Sequence, residues 1–385
     1  MKVKPFVGLL ISPGSIEAVQ CSKNEAGEIS FDLYHQIDLT EPYVDEDGDI
    51  TNPEALGQLL GQLWKDADIQ CRNVVLGFSG KRAIARLVSL PRIPANQLQQ
   101  VILSEAEQYT LFRDEEPLVD YFTVDTDTES STVFYAAVSQ KLANVYKKTL
   151  RHAKLNLTAI DIAQYASLRA LVHFKLSDSD VWDGVIVLPA RVVITSWFGQ
   201  KLLNWREVSS QRWEEEAEDQ RYQFIETELS RTLRLETDKG REVLVAKDSL
   251  AESARVSHYF QRHTDLPLLA TGIDYWSRRL PPEALEKVTP AALGLALWGL
   301  ETRIPSLDLL HRSGSKSEFF ASLSSQMAGV KLDRSVGIAA TGLRLGSLRQ
   351  WVVAGCIGSA AALIAIAGLG QMGIGLLVPA VITLG

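Results

Sequence analysis

The chain has 385 residues, 46% hydrophobic and 22% charged, with a formal net charge of −8. That balance fits a globular body long enough for two domains. The acidity argues against nucleic acid as a main partner, because phosphate backbones want a basic face. Cys21, Cys71 and Cys356 form neither a disulfide framework nor a metal spacing, and the six histidines are scattered.

The predicted elements alternate between strand and helix. Phe6 to Ile11, Ile16 to Cys21 and Ile29 to Leu33 are short β-type runs parted by turn residues, and they read as an antiparallel meander. Pro53 to Ala67 carries Leu56, Leu59, Leu60 and Leu63 at helical spacing behind Asn52-Pro53, a helix start. Next come strands at Val74 to Phe78 and Ala83 to Ser89, then a helix from Ala95 to Tyr109. Tyr121 to Val124 and Val133 to Val138 are strands about an acidic loop. Leu142 to Ala153 is helical, Leu157 to Asp161 extended and Ile162 to Phe174 helical. The order then restarts with a second meander: Asp183 to Leu188, Arg191 to Trp197 and Lys201 to Trp205. After it come a helix over Trp213 to Arg234, a strand over Glu242 to Ala246, a helix over Ala251 to Arg262, a strand over Pro267 to Ala270 and a small-residue helix over Thr289 to Leu300. A repeated order of this kind suggests a duplicated α/β fold.

The last charged residue is Arg349, and Trp351 to Leu369 is almost wholly apolar. About 20 such residues in helix cross a hydrocarbon core. Lys331, Arg334, Arg344 and Arg349 precede this run and no basic residue comes after it, which places the body in the cytoplasm by the positive-inside rule. The N-terminal residues lack a secretory h-region, so the expected location is the inner membrane with a cytoplasmic body. Gly368, Gly370, Gly373, Gly375 and Pro379 interrupt the remainder of the tail. One span with a short apolar end is expected, with a tight hairpin as the alternative. Gly355, Gly358 and Ser359 form a small-residue pattern that permits self-association.

One stretch resembles a known family. Ile84 to Pro94 reads I-A-R-L-V-S-L-P-R-I-P. Glu105-Ala106-Glu107-Gln108-Tyr109-Thr110-Leu111-Phe112 comes next, then Asp120-Tyr121, Ala136 to Lys141, and Asp161 with Ala166 to Leu171. In order and spacing Val74 to Ala170 resembles the PilM family of type IV pilus assembly proteins, the FtsA-like branch of the actin-like ATPase superfamily, to which the type II secretion protein GspL and the pilus protein MshI are similar. The resemblance implies a duplicated actin-like (RNase H-like) two-lobe α/β fold with an FtsA-like inserted subdomain, together with a C-terminal transmembrane helix. The expected divisions are a first lobe at 1–172 with its insert at about 80–160, a second lobe at 173–303, a docking peptide and linker at 304–348, and a membrane segment at 349–385.

Such a fold implies ATP and Mg²⁺ between the lobes, held by two glycine-rich turns and two aspartates. Here the residues depart from the family pattern. Leu10 replaces one aspartate, Ser12 a glycine and Glu17 a lysine. Leu188 replaces the other aspartate and Ala190 a glycine, while the adenosine loop is reduced to Ala270 to Asp274 about Gly272. Leucine ligates no metal, and Pro13 and Pro189 remove backbone donors. No ATP hydrolysis, no catalytic residue and no metal are therefore expected. The alternative is that Asp183 or Asp274 serves the metal. Gly77 to Lys81 suggests a phosphate loop, but it lacks the Walker spacing and leads into a strand.

Ile304 to Arg312 (I-P-S-L-D-L-L-H-R) resembles the short N-terminal motif of PilN, an extended peptide that docks on PilM. The expectation is that Leu307, Asp308, Leu309 and Leu310 dock in cis on the first lobe, near Leu90, Pro91 and Pro94 and the helix carrying Glu105 and Tyr109. An ordinary linker is the alternative. The function expected from the resemblance is a membrane-anchored scaffold of a type IV pilus or type II secretion platform, with PilN- and PilO-like membrane proteins and the assembly ATPase as partners. The other function it allows is an anchored actin-like ATPase that cycles ATP.

Overall fold

The computed structural model describes residues 5–45, 47–113, 115–174, 180–188, 191–208, 217–233, 242–263, 280 and 282–310. The strands are β1 (Val7–Ile11), β2 (Ser15–Lys23), β3 (Ile29–Asp38), β4 (Asn73–Phe78), β5 (Ala83–Pro91), β6 (Pro117–Thr126), β7 (Ser130–Ser139), β8 (Asn156–Ile162), β9 (Val181–Val187), β10 (Val192–Phe198), β11 (Lys201–Val208) and β12 (Glu242–Ala246). The helices are α1 (Pro53–Asp66), α2 (Ala95–Glu107), α3 (Gln140–His152), α4 (Ala163–Phe174), α5 (Glu218–Leu233), α6 (Leu250–His263), α7 (Pro282–Lys287) and α8 (Pro290–Ala296).

Three sheets result. The first runs β3-β2-β1-β4-β8, and the second runs β11-β10-β9-β12. In each, a three-strand antiparallel meander meets a parallel strand beside its first member: β1 with β4, and β9 with β12. The duplication expected from sequence is thus visible as topology. β1 is buried throughout and β4 from its second residue, which is why both read as unbroken apolar runs. A third sheet, β5-β7-β6, is inserted between β4 and α3. It spans Ala83 to Ser139. After it α3 packs on α1, and β8 returns to the edge of the first sheet beside β4.

Helix starts reflect the local chemistry. Asn52 Oδ1 accepts the Ala55 N–H at 3.1 Å, with Pro53 opening α1. Ser139 Oγ accepts from Leu142 at 3.2 Å to start α3, and Thr289 Oγ1 accepts from Ala292 at 3.0 Å to start α8. α8 crosses α4 at very close range. A Cβ on Gly294 would lie 1.7 Å from the carbonyl oxygen of Ala166, so only glycine fits. Arg169 of α4 uses this approach. Its Nη1 donates to Gly294 O at 2.9 Å and its Nη2 to Asp161 Oδ2 at 2.7 Å, and both charged side chains are wholly buried.

Some boundaries move. The helix expected over Thr289 to Leu300 regularises only Pro290–Ala296, after which Gly299 turns the chain at φ +70°. α7 has no counterpart in the sequence pattern, because a helix this short shows no usable period. The helix expected over Trp213 to Arg234 is seen as Glu218–Leu233, within the described residues. The strand expected over Pro267 to Ala270 and the tail from 311 onward lie outside the described residues. Among the described residues no helix is long and apolar enough to cross a membrane.

Candidate functional sites: an interlobe cleft and a filled groove

A cleft of ≈ 830 Å³ opens between the two meander sheets. One wall is the β1–β2 turn, with Leu10, Ser12, Pro13 and Glu17. The facing wall is the end of β9 with Leu188, and α4 contributes Ala163 and Ser167. Of the positions singled out in the sequence, Leu10, Ser12 and Leu188 line this cleft. Leu10 is buried at 4% exposure and Leu188 is half-buried. Pro189, Ala190, Gly272 and Asp274 lie outside the described residues. Asp183 does not line the cleft. It is fully buried, and its Oδ1 accepts the Ser196 hydroxyl at 2.6 Å.

Glu17 has a different role from a stray surface charge. It is 2% exposed, and its Oε2 accepts the Thr289 N–H at 2.9 Å, at the start of α8. Burial pushes its carboxyl up to about 7, against the pull of that hydrogen bond. Burial thus favours the neutral carboxyl at pH values where a surface glutamate is ionised.

Cations also line the cleft, and no sequence pattern assembles them. Lys81, Arg191, Lys247 and Lys287 come from four separate segments, and Asp248, Glu252 and Glu286 line the cleft with them. Lys247 is held by Glu218, by Glu252 at 3.7 Å and by the Tyr222 hydroxyl at 3.0 Å. Burial alone would pull its pKa down, yet the hydrogen bonds to Glu218 and Tyr222 hold its ammonium above its usual range. Arg191 Nε pairs with Glu207 at 3.0 Å. The Gly77 to Lys81 segment also reaches the cleft, through Ser79 and Lys81. Gly77 itself faces the Leu295 side chain, where a Cβ would come within 2.5 Å.

The donor set fits a phosphate better than it fits a magnesium ion. Lysine and arginine suit an anion. The metal positions implied by the resemblance are the apolar Leu10 and Leu188. Among the described residues no three His, Cys, Asp or Glu side chains gather as a metal cluster.

The second site is already filled by the chain itself. After α8, residues 304–310 run as an extended strap along the outer edge of β8. Leu309 N–H donates to Ile160 O at 2.8 Å, and Asp308 N–H donates to Asp120 Oδ2 at 2.7 Å. Asp308 Oδ1 accepts from Ile160 N at 3.4 Å and Leu310 N at 3.1 Å. Trp298 Nε1 donates to Leu307 O at 2.7 Å. Ile304, Leu307 and Leu309 are at most 1% exposed and join the main apolar cluster of the first lobe, with Leu310 half-buried against it.

The first lobe does seat the strap, but not where the sequence suggested. Leu90 and Tyr109 are partly buried in a separate cluster with Leu98, Ile102 and Tyr135, inside the inserted layer. Pro91 and Pro94 are exposed, and Glu105 is half-buried. Those apolar groups cover their own sheet, whereas β8 offers an open edge with backbone groups to pair. Asp120 is the strap contact that sequence alone does not assign. It belongs to the Asp120-Tyr121 motif, but its contact with the strap depends on β6 and β8 standing side by side, which no local pattern reveals.

The family model described as type IV pilus assembly protein PilM matches residues 8–193, just under half of the chain. A solved structure, the PilM-PilN type IV pilus biogenesis complex, is 20% identical. It covers 78% of this chain and 100% of its own, at a TM-score of 0.58. A protein of actin-like ATPase fold and unknown function from Bacteroides thetaiotaomicron is 10% identical over 71% of this chain and 94% of its own, at a TM-score of 0.41. The bacteriochlorophyll synthase 44.5 kDa chain of Rhodobacter capsulatus is 59% identical over 51 residues, which are 13% of this chain. The chain spans only 12% of that relative's length. The motif run, the duplicated mixed sheets and the comparisons agree: residues 8–193 match the model of the type IV pilus assembly protein PilM, and the α/β fold is similar to that of the solved PilM-PilN complex.

Proposed function

We propose that the chain is a scaffold of a type IV pilus or type II secretion assembly platform, held at the inner membrane by its C-terminal segment with its body in the cytoplasm. Its partners on this reading are PilN- and PilO-like membrane proteins and the assembly ATPase. A PilN-like partner is favoured because the similar solved structure is a PilM-PilN complex. The observation that carries the reading is the pair of leucines, Leu10 and Leu188, on the cleft walls where the resemblance implies metal-holding aspartates. Without such ligands the Mg²⁺ that would bridge a triphosphate's β- and γ-oxygens has no carboxylate to hold it, so turnover is not expected.

A second reading has one observation in its favour. Lys81, Arg191, Lys247 and Lys287 ring the same cleft and would favour an ATP that binds and is cycled. Calorimetric titration of the full chain with ATP, with and without Mg²⁺, separates the two. No heat, or binding indifferent to Mg²⁺ and without phosphate release, supports the scaffold. Micromolar binding that needs Mg²⁺, with hydrolysis, overturns it.

A further inference from the structure

A run of charged side chains connects the cleft to the inserted layer. Arg191, on the cleft wall, pairs through Nε with Glu207 Oε1 at 3.0 Å. The other oxygen of that carboxylate, Oε2, pairs with Arg86 Nη1 of β5 at 3.8 Å. Arg86 in turn lies over the Tyr109 ring, 5.5 Å from its centre, just past the end of α2. Neither Glu207 nor Arg86 lines the cleft. β11, which carries Glu207, runs against β5, so one carboxylate is divided between a guanidinium from each side of that seam. The Arg191 and Glu207 side chains are 17% and 27% exposed, so solvent and salt screen their attraction only in part.

This division governs how much of Arg191 the cleft can use. Glu207 occupies Nε, and the two Nη groups of Arg191 have no partner among the described residues. A carboxylate that turned wholly to Arg191 would take a second N–H in the paired geometry that guanidinium favours, and would neutralise it. Arg86 draws the second oxygen the other way. Lys247 is placed differently, since Glu218 and Glu252 already neutralise it inside the cleft.

We propose that Glu207 is a positioning residue that couples the inserted layer to the cleft. By dividing its carboxylate it keeps the Nη groups of Arg191 available to a phosphate-bearing anion, and Arg86 sets the affinity for that anion without touching it. The inference rests on the scaffold reading, in which the cleft holds such an anion without Mg²⁺ and does not hydrolyse it, and adds regulation to it. Linkage makes the coupling reciprocal. An anion that engages Arg191 leaves Glu207 to Arg86, and so strengthens the seam between the second sheet and the inserted layer.

The test is calorimetric titration of the full chain in detergent with sodium pyrophosphate, in the presence of EDTA. Arg191→Gln should weaken binding about tenfold. Arg86→Gln should weaken it roughly threefold or more, because Glu207 then turns wholly to Arg191. Glu207→Gln should tighten it by a similar factor, and in that background Arg86→Gln should change nothing, so the two effects do not add. Lys201→Gln removes the same charge from the same seam without touching Glu207, and should stay close to the parent. Arg86→Lys, which returns a charge opposite Glu207, should recover the parental affinity. If Arg86→Gln does not fold, Arg86→Met takes its place, since it keeps the apolar stem over Tyr109. Additive changes in the double variant, an equal loss from Lys201→Gln, or no pyrophosphate binding by the unaltered chain would each overturn the proposal. The scaffold reading fails separately, on phosphate release from Mg-ATP, which none of these titrations measures.

Discussion

The cleft and the strap groove both border the first lobe but are built to different tolerances. The cleft is wide, mixes cations with carboxylates, and holds a buried carboxyl, Glu17, whose pKa burial raises. The groove is packed to exclusion, with Leu307 and Leu309 at 0% and 1% exposure and each polar contact directed at a particular atom. A surface of the first kind tolerates change in its walls and responds to its surroundings. One of the second kind is part of the core, so altering it costs stability before it alters binding.

Breaking the frame that supports both sites should have the largest effect. Arg169→Met leaves the Asp161 carboxyl buried without its partner, and loss of a buried pair member typically costs about 3–5 kcal/mol. Thermal melting should show a large drop; a shift of a degree or two would mean that the pair is not what joins α4, β8 and α8. Within the groove, Leu309→Ala should cost about 2–4 kcal/mol, because a fully buried leucine leaves a cavity. Unchanged denaturant midpoints would show the strap to be loosely attached and would erase the contrast with the cleft.

In the cleft the expected effect depends on pH. The Glu17 carboxyl is raised in the folded protein, from 4.5 to about 7. Its favourable contribution is therefore fully present below pH 4.5 and is lost as pH rises through 7. By pH 8 the loss approaches about 3 kcal/mol. Glu17→Gln keeps an acceptor for Thr289 N–H while removing the titration, so its melting temperature should fall less than that of the parent between about pH 5 and 8. Parallel melting curves across that window would contradict the assignment. The smallest effect is expected from Lys201→Ala, which removes an exposed pair with Asp125 at 2.5 Å between β11 and the β6–β7 hairpin. Surface pairs are worth up to about 1 kcal/mol, and a larger loss in a urea titration would show that this contact joins the inserted layer to the second lobe more firmly than its exposure implies.

Much of this is readable in the chain, for physical reasons that differ by element. α1 and β4 announce themselves because burial repeats at the period of the backbone, every third or fourth residue in one and continuously in the other. Leu10 and Leu188 can be placed in the cleft because a duplicated meander brings equivalent turns face to face. The cations cannot be assembled in the same way, since Lys81 and Lys287 are far apart in sequence and share only the lining of the cleft. Asp120 is hidden for the same reason. Nothing in Val119-Asp120-Tyr121 says that Asp308, far along the chain, will sit beside it. Glu17 looks like a repulsive surface charge in the sequence because its neighbour Thr289 and its burial are both matters of tertiary packing.

The bond from Leu309 to Ile160 has a mechanical consequence. A pull applied to the polypeptide beyond Leu310 is received first by the rim of the five-stranded sheet, and only then, through the Gly299 bend, by the helix that begins at the cleft. Tension on that end would peel the strap before it disturbed the lobes, so this short segment is placed to yield first under load.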